Sequence, residues 1–286
     1  MKQQGFTLVE SVISMLLLVV VASTLGGVVI ASQRFYRQQT ERAGISANLR
    51  EGLFALEMDL RGLDAGDSLG SDIVHMEAGS LTVKVVRSVA FLCRAPDIGR
   101  FQVIMGRVPI FGLRHIDPAR DSILIWVARD AGGVSGDRWL RADIRSVSYA
   151  RGCPGKVAGI TVQVAGLTRA ELAAVRPGSA IRAYQQVRYL QYRGGDGQIW
   201  LGVGEWKKGR GWTSTQPVAG PLAPGGLRFT YLDGVGNRTA IPANVAAIQV
   251  VLVGVGTRTP KRAQAGGAVL RDSLSTLIAL RNNPMR

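Results

Sequence analysis

Residues 6 to 32, from Phe6 to Ser32, read FTLVESVISMLLLVVVASTLGGVVIAS, with one charge, Glu10, and no proline. A run of ~20 apolar residues suffices to cross a bilayer as a helix. The stretch exceeds the roughly 7 to 15 apolar residues of a cleaved secretory signal. It is therefore expected to be retained as an anchor.

The helical pattern continues past this run. Apolar residues recur at Ile45, Leu49, Leu53, Leu56, Leu60 and Leu63, spaced by fours and threes, which is one face of an amphipathic helix. Glu41, Arg42, Arg50, Glu51, Glu57 and Arg61 fall mostly on the other sides. No proline interrupts 6 to 63, so a single helix of about 58 residues, roughly 87 Å long at ~1.5 Å each, is expected. Gly26, Gly27 and Gly44 are its soft points. The first half needs an apolar environment, and the second should lay its leucine stripe on a globular domain.

After Asp64-Ala65-Gly66-Asp67 the pattern changes to short β-type segments separated by Gly, Pro, Asp and Asn. The expected strands are 81–92, 122–128, 145–150, 160–165, 181–192, 198–203, 227–232, 245–253 and 274–280. Nine strands imply an antiparallel sheet. Arg193 to Gly197 reads as a hairpin turn and Asp233 to Asn237 as a loop. Neither has the alternating oxygen ligands of a calcium loop. Thr168-Arg169-Ala170-Glu171 is a capping box that should start a short helix through Val175, ended by Pro177-Gly178. The fold class is thus α+β: a long N-terminal helix, with a membrane half and an amphipathic half, packed on an antiparallel β-sheet head.

Composition narrows the function. The chain has 286 residues, 47% hydrophobic and only 19% charged, which excludes a disordered chain or a charged coiled coil. Lys and Arg number 35 against 20 Asp and Glu, a formal charge of +15. Six of the basic residues are Lys and the rest Arg. Two readings follow: a base-composition bias with no selected partner, or a basic surface for an anionic partner such as nucleic acid. The best local candidate for polyanion contact is Trp206-Lys207-Lys208-Gly209-Arg210-Gly211-Trp212, with Trp206, Lys207, Lys208, Arg210 and Trp212 as the contact groups. Its other reading is a solvated hairpin loop.

Cys93 and Cys153, with His75 and His115, supply no zinc-ligand spacing. No metal or other cofactor is expected. Outside the cytoplasm the two cysteines could pair into one disulfide; inside it they would stay reduced. No phosphate-binding loop or nucleophile elbow occurs, and Glu57 and Asp59, two apart on a helix, point to different faces. Catalysis is not expected.

The first ten residues carry the most specific motif. The polar leader Met1-Lys2-Gln3-Gln4-Gly5 is followed at once by Phe6-Thr7-Leu8-Val9-Glu10 and the apolar run. This resembles the class III signal of type IV pilins and type II secretion pseudopilins. The resemblance implies cleavage by a prepilin peptidase between Gly5 and Phe6, N-methylation of Phe6, and an assembly role for Glu10. A carboxylate at the centre of a membrane helix costs ~2.5 to 3.5 kcal/mol and is usually partnered. The resemblance supplies the N-terminal amine of a neighbouring subunit. Taken alone, Glu10 could also sit at headgroup level, where the cost largely vanishes.

Two features of the sequence imply opposite orientations. Arg34, Arg37, Arg42 and Arg50 follow the span and only Lys2 precedes it, so the positive-inside rule would keep the large domain in the cytoplasm. The resemblance implies the reverse: a single-pass inner-membrane protein with its head outside the cytoplasm, later at a pilus or pseudopilus tip. It divides the chain into a leader (1–5), a transmembrane or fibre-core helix (6–32), its amphipathic continuation (33–63) and a β-rich head (64–286).

A second resemblance concerns subtype. Val187 to Tyr192, Gly226 to Asp233, Ile248 to Val253, Leu280 to Asn282 and Ala55 to Arg61 are similar to the larger minor subunits, the W-type minor pilin and the J-type minor pseudopilin. A head of over 220 residues fits a tip better than a shaft of helices packed ~8 to 10 Å apart. The resemblance implies a subunit that primes and caps a type IV pilus or type II secretion pseudopilus. Its partners would be the prepilin peptidase, other minor and major pilins or pseudopilins, and the inner membrane. The alternative is a tip binding module, for DNA uptake or adhesion, on the same scaffold.

Overall fold

A computed structural model of the protein describes residues 8–66, 69–107, 111–112, 114–128, 137–256 and 270–281. The first element, α1 (Leu8–Leu60), is a helix of 53 residues. It runs through Gly26, Gly27 and Gly44 without interruption. The strands are β1 (Ile73–Met76), β2 (Ser80–Phe91), β3 (Gln102–Gly106), β4 (Phe111–Gly112), β5 (Asp121–Val127), β6 (Arg138–Arg151), β7 (Ala158–Ala165), β8 (Ala180–Arg193), β9 (Ile199–Lys207), β10 (Gly211–Trp212), β11 (Gln216–Ala219), β12 (Leu222–Leu232), β13 (Ala247–Val255) and β14 (Arg271–Ala279). A short helix, α2 (Arg169–Ala173), starts where the capping box places it, with the Thr168 hydroxyl accepting from Glu171 N–H. The class is α+β.

The main sheet is antiparallel, in the order β1-β2-β8-β5-β6-β7-β3. Strand β8 is its pivot. One edge of β8 pairs along its length with β2. On the other edge Ile181 to Gln185 pair with β5 while Val187 to Arg193 pair with β9. The sheet therefore forks, and β9 carries β10 and β11 on its far side. A second, three-stranded sheet runs β12-β13-β14.

Two separate cores result. In the first, the leucine stripe of α1 lies between the three-stranded sheet and one face of β2, β8 and β9, against Leu81, Val83, Val187, Leu201, Val250, Leu252 and Ile278. Every stripe residue from Ile45 to Leu63 is buried. Close approach is built in at Gly52, where a Cβ would stand 2.5 Å from that of Ala219 on β11. The second core lies under β3, β5, β6 and β7 with Leu172 of α2, away from the long helix.

All nine expected strands are present, several longer than their patterns suggested. β6 starts at Arg138, and its register shifts between Ile144 and Ser146. β1, β3, β4, β10 and β11 were not anticipated. Each has two to five residues, too short for a period-two pattern to stand out.

Candidate functional site

The N-terminal part of α1 stands clear of the head. No described residue from Leu8 to Gly44 is buried, and Leu8, Leu18 and Val28 are 81%, 70% and 66% exposed. The helix is long and apolar enough to cross a membrane. Glu10 is the acidic residue of its first turn. Gly5 and Phe6 lie outside the described residues.

Polar contacts fix the other half of the helix to the head. Asp59 sits between Leu56 and Leu63 on the leucine stripe, only 8% exposed. It accepts from Arg87 Nη1 at 2.8 Å and from Tyr189 Oη at 2.6 Å. Arg87 falls at a register break in β2, between Val86 and Ser88, and its side chain reaches the helix. Burial, then the Asp59 charge, pushes the Tyr189 phenol well above its ordinary range, so it stays a donor. Nearer the membrane half, Ser46 Oγ donates to Asp272 of β14 and Asn48 Nδ2 to the Gly220 carbonyl at 3.2 Å. The sequence signal for this anchor was a carboxylate placed on an apolar stripe.

Cys93, just after β2, is bonded to Cys153, between β6 and β7. The bond lies beside the second core, where Cys93 N–H donates to the Ile104 carbonyl. His75 pairs with Glu77 at 2.9 Å, whereas His115 lies edge-on to Tyr149, so the histidines do not converge. Among the described residues no group of three or more His, Cys, Asp or Glu could hold a metal ion.

The segment singled out for polyanion contact is a hairpin. Trp206 and Lys207 end β9, Gly211 and Trp212 form β10, and the turn between them uses the positive φ of Gly209. Trp206 and Trp212 meet edge to face, with centroids 5.4 Å apart. Lys208 does not project into solvent as a free loop cation. Its Nζ donates to the Asp121 carbonyl at 2.7 Å and pairs with Asp143 at 3.1 Å.

Around this hairpin the structure assembles a larger array from residues distant in sequence. On the sheet face away from both cores, Arg182 lies 4.5 Å over the Trp139 ring, which meets Trp126 edge to face at 5.1 Å. Arg188 lies 4.6 Å over Trp212, and Arg141 lies 6.0 Å over Tyr184. The registers explain the clustering. Trp126 pairs with Trp139, Leu124 with both Arg141 and Arg182, and Ser122 with Tyr184. Gly204 opposite Arg188 leaves that side chain room to cover Trp212.

Fold and N-terminus together define a helix-anchored protein with a β-rich head. Residues 1–31 match the prokaryotic N-terminal methylation motif. This motif points to the type IV pilin-like family and implies dealings with a prepilin peptidase and with other pilins in general. No curated protein and no solved structure matches the chain.

Proposed function

We propose that the protein is a minor pilin or pseudopilin, a structural subunit rather than an enzyme, that primes assembly of a type IV pilus or type II secretion pseudopilus and caps its tip. The observation that carries this reading is the methylation motif on a helix whose first half its own head leaves uncovered. Cleavage falls between Gly5 and Phe6, Phe6 is methylated, and Glu10 pairs with a neighbour's N-terminal amine in the apolar core. The leader, span, amphipathic helix and head then take the limits 1–5, 6–32, 33–63 and 64–286.

The Cys93–Cys153 bond supports a head outside the cytoplasm, since disulfides persist in oxidising compartments. It weighs against the positive-inside count of Arg34, Arg37, Arg42 and Arg50. The size of the head supports a tip position over a shaft position. Intact mass of the membrane-extracted protein tests the processing step: a mature chain starting at methylated Phe6 is expected, and any other start overturns the reading. Deleting the gene and scoring surface fibres and secreted enzymes together separates the two machines. Loss of fibres alone means a pilus subunit, and loss of secretion alone means a pseudopilin.

A further inference from the structure

We propose that the outer face formed by β6, β5, β8 and the β9–β10 hairpin binds single-stranded nucleic acid. This goes beyond an assembly role and does not depend on one.

The face is organised along β8, where Arg182, Tyr184, Gln186 and Arg188 alternate with residues that point into the cores. Six residues at ~3.3 Å each place the two arginines about 20 Å apart. Each lies over a tryptophan, so the ring holds the half-buried guanidinium in place. Between them is a cleft of about 410 Å³ lined by Arg120, Ser122, Arg141, Asp143, Tyr184 and Lys208 among others. Asp143 is already held by Ser122 Oγ at 2.9 Å and by Lys208. The largely buried Tyr184 forms part of the cleft wall, with Arg141 over its ring. Arg141 at the rim is exposed.

These features fit a chain of phosphates joined to flat rings. Oxyanions accept from Arg141, Arg182 and Arg188, while bases stack on guanidinium planes and on the half-exposed indoles. An acidic polysaccharide offers the anions but no flat ring for a guanidinium plane. A duplex presents its phosphates on a convex cylinder and its bases inside, whereas this site is an open sheet face with no helix of major-groove length: α2 has five residues. The contact groups thus shift from the hairpin tip to the sheet.

The test uses the full-length protein in detergent and fluorescence anisotropy of a labelled 20-nucleotide oligothymidylate. If these three arginines contact phosphate, affinity should fall roughly 20-fold between 50 and 200 mM salt. Arg141→Ala with Arg182→Ala should weaken binding at least tenfold and flatten the salt slope by about 1.4. Trp206→Ala should weaken it with the slope unchanged. Retained cooperative melting shows that the variants fold. The proposal is overturned by absent binding at 50 mM salt, or by equal or tighter binding of a same-length duplex or of polygalacturonate. Loss in Lys207→Ala with Arg210→Ala but not in the sheet variants overturns it too. Correct processing and assembly of a subunit that fails this test would leave the assembly reading standing.

Discussion

Tyr189 Oη donates to Asp59 Oδ2 across 2.6 Å, joining the middle of the main sheet to the end of the long helix. The same carboxylate holds Arg87, whose side chain is 12% exposed. Removing the carboxylate strands a buried guanidinium and a buried hydroxyl together, which costs far more than a surface pair is worth. Asp59→Ala should lose roughly 3 to 5 kcal/mol of stability. Tyr189→Phe, which removes one hydrogen bond to a charged acceptor, should lose roughly 1.5 to 3. Urea unfolding of the detergent-extracted protein reads both, and equal small losses would show that the cluster is hydrated rather than buried.

At Gly52 helix propensity and packing oppose each other. Alanine in a helix interior is normally favoured over glycine by ~1 kcal/mol. Here the added Cβ would lie 2.5 Å from that of Ala219, a side chain too short to swing away. Gly52→Ala should therefore destabilise by about 1 to 3 kcal/mol through overpacking. Adding Ala219→Gly should recover most of the loss. A neutral single variant would mean that helix and sheet separate easily at this point.

The helix was legible because its two halves obey one period: the apolar run is long, and the stripe from Ile45 to Leu63 repeats without a break. Strands of seven residues or more announced themselves by alternation. The fork at β8 did not, because no local pattern records that Gln185 and Val187 face different neighbours on the same edge. Nor does it record that β12 to β14 form a sheet of their own, so the single sheet expected from the strand count became two sheets with two cores. The same limit applies to the candidate sites. Gly5, Phe6 and Glu10 fall within six consecutive residues and form one local motif, whereas the stacked array draws on residues from Trp126 to Trp212 that only sheet register brings together.

Acid should weaken the seam between α1 and β14. The Ser46 hydroxyl, and after it the Ser273 N–H, hold the Asp272 carboxyl below its ordinary value. A carboxylate with a depressed folded pKa stabilises fully above its unfolded value, near 3.9, and loses that contribution as pH falls through the folded value. Ser46→Ala should lower the urea midpoint at pH 6, with the gap from the wild type closing as pH falls below the unfolded carboxylate value. Glu77, held low by Ser80 and His75, adds to the same acid limb but not to the gap. A gap that persists at pH 2.5 would assign the contribution of Ser46 to packing.

Cys93 and Cys153 close a loop of sixty positions beside the core that the long helix does not reach. Chain-entropy reasoning gives about 4 kcal/mol for a loop of that length. The effect should be local, because the two cores share only the continuous strands β2 and β8. The first core keeps its helix, its leucine stripe and the Asp59 cluster whatever the redox state. The second has one short helix and depends more on the bond. In Cys93→Ser with Cys153→Ser, amide exchange should quicken first in β3, β6 and β7, while β12 to β14 and the helix beyond Ile45 stay protected. Equal loss of protection in both regions would mean that β8 transmits opening and that the head unfolds as one unit.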